Sequence, residues 1–187
     1  MNKTKAKQLV VKYLHERNIP YSHYVADGEL SLAVVLKGHE KCPDGLLECC
    51  FYFYETCMEA RVYFDENASN WISARADKLP ELYRLLNYIN ARFWPFNNDG
   101  TGWKVYSPHH LITPRFYLAE GDKTDLTATM AIDYDVFELA PLEVCDYITA
   151  TLPAYMNELS RPVFLVVLGD TSAEDAIELI ESIMIML

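Results

Sequence analysis

The chain lacks any apolar run of the ~20 residues that a membrane helix requires. Its longest apolar stretches, residues 163–168 and 183–187, are far shorter. It also lacks a Gly-x-Ser-x-Gly elbow, a phosphate-binding glycine loop and a dinucleotide fingerprint, so hydrolase and nucleotide-dependent chemistries have no motif behind them. Positive charge is scarce: 16 Lys and Arg stand against 27 Asp and Glu, a net charge of -11. Phosphate recognition needs clustered cations, which argues against general nucleic-acid binding. Residues 1–14 carry no signal-peptide pattern and the cysteine count is odd, at five. Free thiols and no leader lead to the expectation of a cytoplasmic protein. No low-complexity segment interrupts the chain, and no repeat is visible in residue identity.

What is present is an ordinary globular composition, 51% hydrophobic, with an excess of tyrosine at 13 residues. A length of 187 residues suits one buried core, and the reading is a single domain over residues 1–187. Charge is uneven. Residues 1–17 hold Lys3, Lys5, Lys7, Lys12 and Arg17 against Glu16, which leaves -15 on the remainder. The simplest account of that basic segment is a solubilising face that complements the protein's own acidic surface.

The hydrophobic period changes in a definite order. Over residues 4–18, Leu9, Val10, Tyr13 and Leu14 recur at helical spacing, and Ile19-Pro20 ends the helix. Residues 21–26 and 29–37 then read as a hairpin about Asp27-Gly28, with Leu30, Leu32, Val34 and Leu36 alternating. Cys42-Pro43-Asp44-Gly45 supplies the next turn, and residues 46–55 and 58–65 read as two further strands, so four strands form a meander in chain order. A polar link over 65–70 and a short strand over 71–74 are expected next. A helix capped near Asp77 follows, with Leu82, Leu85, Leu86, Ile89 and Phe93 as its buried stripe and Pro95 as its end. Beyond the turn of residues 97–102, strands are expected at 103–106, 111–119 and 126–134. Pro141 opens a long helix that keeps its phase past Pro153 and, kinked at Pro162, runs to Gly169, with a buried strand over 163–168 as the alternative. Thr171 and Glu174 read as a capping box for a last helix whose Ile177, Ile180, Met184 and Leu187 share a face. The expected fold class is therefore α+β: an antiparallel sheet of hairpin-connected strands packed by helices, in the order α-β-β-β-β-α-β-β-β-α.

With its first helix, the Ile19-Pro20-Tyr21 start, the meander, the helix bearing Leu86, Asn87 and Asn90, and the later strands leading into a long helix, the chain over about residues 5–160 resembles the YbjN-like group of bacterial sensory transduction regulators. That resemblance implies a fold like that of type III secretion chaperones, frequent dimerisation and no catalysis. Asn87 and Asn90 lie one turn apart, and the plain reading is that they tie the helix to neighbouring backbone.

Three constellations remain. His39 and Cys42 have ligand-like spacing, and Cys49, Cys50 and Cys57 follow, yet adjacent Cys49 and Cys50 must point to opposite faces of a strand and cannot share a metal. Buried, inert thiols are the better account. The pair His109-His110 and the carboxylates Asp122, Asp125, Asp133 and Asp135 match no catalytic or calcium-loop spacing. Finally, the aromatic run over residues 51–54, the segment 93–96 and Trp103 would form an apolar, tyrosine-rimmed patch if uncovered. Tyr52, Tyr54, Trp94, Phe96 and Trp103 are its candidate binding residues.

These observations point to a non-enzymatic protein that binds a protein or peptide partner, or pairs with itself as a homodimer, through a sheet face or edge. It would use no cofactor and contact neither nucleic acid nor membrane. The alternative is a small metal- or thiol-dependent sensor or enzyme built on Cys42, Cys49 and His39 or on His109 and His110.

Overall fold

The computed structural model describes residues 1–26, 28–92, 96–98, 103–105, 112–169 and 171–185. Helix α1 (Lys3–Glu16) is capped by Asn2, whose side chain accepts the Lys5 N–H at 3.0 Å. It buries Ala6, Val10, Tyr13 and Leu14, and Asn18 turns the chain out with a φ of 53°. Strands β1 (Tyr21–Ala26), β2 (Glu29–Lys37), β3 (Leu46–Phe53) and β4 (Cys57–Phe64) then form the expected antiparallel meander. Alternation is strict on β4, where Met58, Ala60, Val62 and Phe64 are buried and the residues between them are half-buried.

After β4 the structure departs from the sequence expectation. Residues 71–74 are not a strand. Asp65 accepts the Ala68 N–H at 3.1 Å and caps α2 (Glu66–Ser73), which buries Ala68 and Ile72. Next, α3 (Leu79–Arg92) buries Leu82, Leu85, Leu86 and Ile89 as anticipated, while Phe93 and Pro95 lie outside the described residues. The later strands do not all join one layer. Among the described residues, strands β5 (Phe96–Asn98) and β6 (Trp103–Val105) pair with each other alone, whereas β7 (Arg115–Glu120) and β8 (Thr124–Asp133) extend the main sheet. The expected order is thus longer by one helix and one strand before β7.

The six strands run in the order β1-β2-β3-β4-β8-β7, all antiparallel. Strand β8, not β7, lies against β4, so the two hairpin groups meet by a pairing between Cys57–Phe64 and Thr124–Asp133.

Short helices α4 (Tyr134–Leu139) and α5 (Pro141–Asp146) lead through a π turn at Tyr147–Thr151 into α6 (Leu152–Leu168). Residues 163–168 are helical, as favoured, and Pro162 sits inside the helix with Gly169 at its C-cap. Helix α6 is apolar on nearly every side, which suits a central position. Phe164 packs edge-on against Phe64, with ring centroids 5.2 Å apart. The last helix, α7 (Ala173–Ile185), is capped one residue later than expected. Ser172 and Asp175 make the reciprocal box, with Asp175 N–H donating to Ser172 Oγ at 3.1 Å and Ser172 N–H to Asp175 Oδ2 at 3.3 Å. No helix among the described residues is long and apolar enough to cross a membrane.

The basic face of α1 is matched by the protein itself. Lys3 meets Glu55 at 2.6 Å, Lys5 meets Glu138 at 2.6 Å, and Arg17 meets Asp146 at 3.2 Å.

Candidate functional site: the tyrosine face of the sheet

The registers sort the sheet into two faces. Leu32, Val34, Cys49, Phe51, Ala60, Val62, Ala128 and Met130 stand opposite one another and belong to the core. The intervening residues form the other face: Tyr24 opposite Ser31, Cys50 opposite Arg61, Tyr52 opposite Glu59, and Arg61 opposite Thr129. None of the tyrosines on that second face joins the core cluster.

Those side chains hold one another instead. Tyr52 and Tyr54 stack with centroids 6.4 Å apart and planes 7° from parallel, while Tyr24 meets Tyr52 edge-on at 6.0 Å. The Arg61 guanidinium lies 4.7 Å from the centre of the Tyr52 ring. Glu59 takes two parallel hydrogen bonds from Arg61, at 2.9 and 3.0 Å, one from Thr129 at 2.8 Å and one from Tyr54 at 3.1 Å. Burial pulls the Glu59 carboxyl upward, but these donors outweigh it and hold the group below its ordinary range. The same carboxylate pushes Arg61 further up. Cys50 Sγ and Tyr63 Oη lie 3.0 Å apart, and burial pushes the Tyr24 and Tyr63 phenols well above their usual range. Both tyrosines therefore stay neutral at physiological pH. Under Tyr24, the buried Ser31 hydroxyl has no hydrogen-bond partner among the described residues.

Beside this face lies a shallow recess of about 820 Å³, lined by Pro20, Ser22, Ala33, Val35, Lys37 and His39 among others. Strand β1 begins opposite Val34, so β2 continues past it for residues 35–37. Pro20 has no N–H to extend the ladder. The recess therefore opens on β2 backbone that β1 does not cover, next to the exposed Val35.

Of the five predicted binding residues, Tyr52 and Tyr54 are brought together here. Trp94 lies outside the described residues, and Phe96 and Trp103 are placed only by their backbone, on the separate β5–β6 ribbon. Sequence reasoning missed Tyr24, Glu59, Arg61, Tyr63 and Thr129. The signal was available for two of them, because Arg61 and Tyr63 alternate with Val62 and Phe64 and the hairpin register carries that parity across to Tyr52.

The thiol and histidine constellation does not converge. Cys49 faces the core and Cys50 the tyrosine face, as their adjacency demands. Cys42 is buried with its Sγ 3.7 Å from Asn157 Oδ1. Burial raises the thiols of Cys42 and Cys145 to about 12 and that of Cys49 well above its ordinary value, so these three stay protonated near neutrality. Among the described residues no group of three or more His, Cys, Asp and Glu side chains is arranged to hold a metal ion. His109 and His110 lie outside the described residues. No family model, curated protein or solved structure matches the chain.

Proposed function

We propose that the protein is a non-enzymatic adaptor that binds a segment of another polypeptide on the tyrosine face of its sheet. The observation that carries this reading is the Tyr24-Tyr52-Tyr54 array with Arg61 laid over it, outside the core and pre-ordered by contacts within the face. Tyrosine and arginine are the residue types that dominate binding hot spots, because a stiff aromatic loses little freedom when it is covered and still offers a hydrogen bond. Two features add to it: a buried Ser31 hydroxyl in want of a partner, and the adjoining recess along residues 35–37, where an extended chain could add hydrogen bonds to β2. The YbjN-like assignment and a chaperone-like role belong to this proposal. They are supported by α1 ahead of a four-stranded meander and by α3 with Leu86, Asn87 and Asn90.

The test is a comparison of partners captured from native cell extract by the wild-type protein and by Tyr52→Ala and Arg61→Ala. Each captured protein is then purified and mapped onto the sheet by amide chemical-shift changes. The expected result is a partner that the variants lose and whose footprint covers Tyr24, Tyr52 and Tyr54. Partners that bind both folded variants at wild-type strength would overturn the assignment of this face.

A further inference from the structure

The two edges of the sheet are treated differently. At β7, the Asn90 side chain takes both outward backbone groups of Phe116, donating to its carbonyl and accepting its N–H, each at 2.8 Å. At β1 nothing comparable exists among the described residues. The strand reads Tyr-Ser-His-Tyr-Val-Ala, with no lysine, acidic residue or proline inside it, and its register with β2 has no bulge. Edges left in that state invite another strand.

Which groups β1 offers follows from the ladder. Gly38 N–H donates to Gly45 O at 3.1 Å, continuing the β2–β3 register, and Tyr54 N–H donates to Cys57 O at 3.0 Å in the β3–β4 register. Alternation then directs the backbone of Leu32, Val34 and Leu36 to β3 and that of Ser31 and Ala33 to β1. Ser22 and Tyr24 answer them, so Tyr21, His23 and Val25 turn their N–H and C=O groups outward. These three are spaced symmetrically about His23.

We propose that β1 pairs antiparallel with β1 of a second copy of this chain, about a two-fold axis through His23. Tyr21 then stands opposite the partner's Val25, and His23 opposite the partner's His23, each pairing exchanging both N–H···O bonds. The side chains make the same register self-complementary. Val25 is 69% exposed and lies on the same face of β1 as Tyr21. Tyr21 closes one end of a recess of about 450 Å³ along α1, which Thr4, Gln8 and Val11 also line. The partner's Val25 arrives beside Tyr21 at that recess, and the reciprocal contact forms across the axis, which is the requirement for a closed two-fold interface. This interface uses a different surface from the tyrosine face, so the two readings fail separately.

The test is sedimentation velocity of the wild-type chain and two variants up to on the order of 100 μM. The wild type and Tyr52→Ala should sediment as dimers, while Val25→Lys should sediment as a monomer with an unchanged circular dichroism spectrum. Facing residues of such a pair have Cα atoms about 5.5 Å apart, within disulfide range. His23→Cys in a Cys57→Ser background should therefore cross-link to a dimer under mild oxidation, with Cys57→Ser alone as the uncross-linked control. A wild-type monomer throughout, a Val25→Lys dimer, or a His23→Cys chain that stays uncross-linked would each overturn the proposal. The first of these would leave the edge to a strand from another protein.

Discussion

Asn90 on α3 grips the backbone of Phe116 on β7 with both ends of its amide, a donor and an acceptor each at 2.8 Å. One side chain thereby ties a helix to the sheet and satisfies an edge residue that would otherwise face solvent or another strand. Asn87, one turn earlier, makes no such bond among the described residues. The plain reading of the two asparagines as ties between helix and backbone thus describes Asn90.

Replacing Asn90 with Ala should cost about 1–3 kcal/mol, because both Phe116 groups lose their partner in a half-buried setting. Asn90→Asp should restore only the acceptor and recover part of the loss. Chemical denaturation measures the change, and faster amide exchange at Phe116 would locate it. An unchanged midpoint in Asn90→Ala would show that water replaces the amide without cost.

Glu59 sets an acid limit on the tyrosine face. Its carboxyl is held below the ordinary range in the folded protein, so its contribution is fully present above the unfolded value and is lost as pH falls through the folded one. Wild type and Glu59→Gln should therefore differ most near neutrality and converge as pH drops from about 6 toward 3. Urea midpoints across that range measure it. A constant gap between the two proteins would mean that Glu59 titrates alike in both states.

His39 gives a second, milder slope of the same direction by another route. Burial lowers its pKa, so on acidification the unfolded chain takes up the proton first, and stability falls as pH drops below the ordinary histidine value. His39→Gln should flatten thermal stability between about pH 7 and 5. An identical slope in the variant would remove His39 as its source.

Thiol reactivity should single out one cysteine. Cys42, Cys49, Cys50 and Cys145 are buried, whereas Cys57 is partly accessible. At neutral pH a chromogenic disulfide reagent should react quickly with one thiol and with the others only after denaturation. Cys57→Ser should abolish the fast phase. A fast phase of two or more thiols in the folded protein would contradict the burial seen for the rest.

Elements whose burial follows a local period were legible in the sequence. The apolar stripes of α1 and α3, the alternation through β1–β4 and the turns at Gly28 and Pro43-Asp44-Gly45 specify helix, meander and register from near neighbours. The helical phase of Leu159, Val163 and Val166 favoured a helix through Pro162 over a buried strand, and α6 is that helix. Of the candidate site only Tyr52 and Tyr54 were legible in the same way, since their parity sets them on one face. Where local signals were evenly matched they misled. Trp71 looked strand-like, yet Asp65 offered a cap and α2 formed; Thr171 and Glu174 looked like a box, yet Ser172 and Asp175 made it.

The amino-acid sequence by itself determined the class of fold, the meander and the inward or outward parity of its strands, because each depends on neighbours within a turn or a hairpin. Only the tertiary structure decided that β8 and not β7 joins β4, that β5 and β6 stand apart, that Thr129 joins Glu59 on the tyrosine face, and that Asn90 closes one sheet edge at Phe116 while no described residue does the same at the other. Those outcomes join residues far apart in the chain. They follow from which surfaces remain to be covered once the local elements exist, and no local period encodes that.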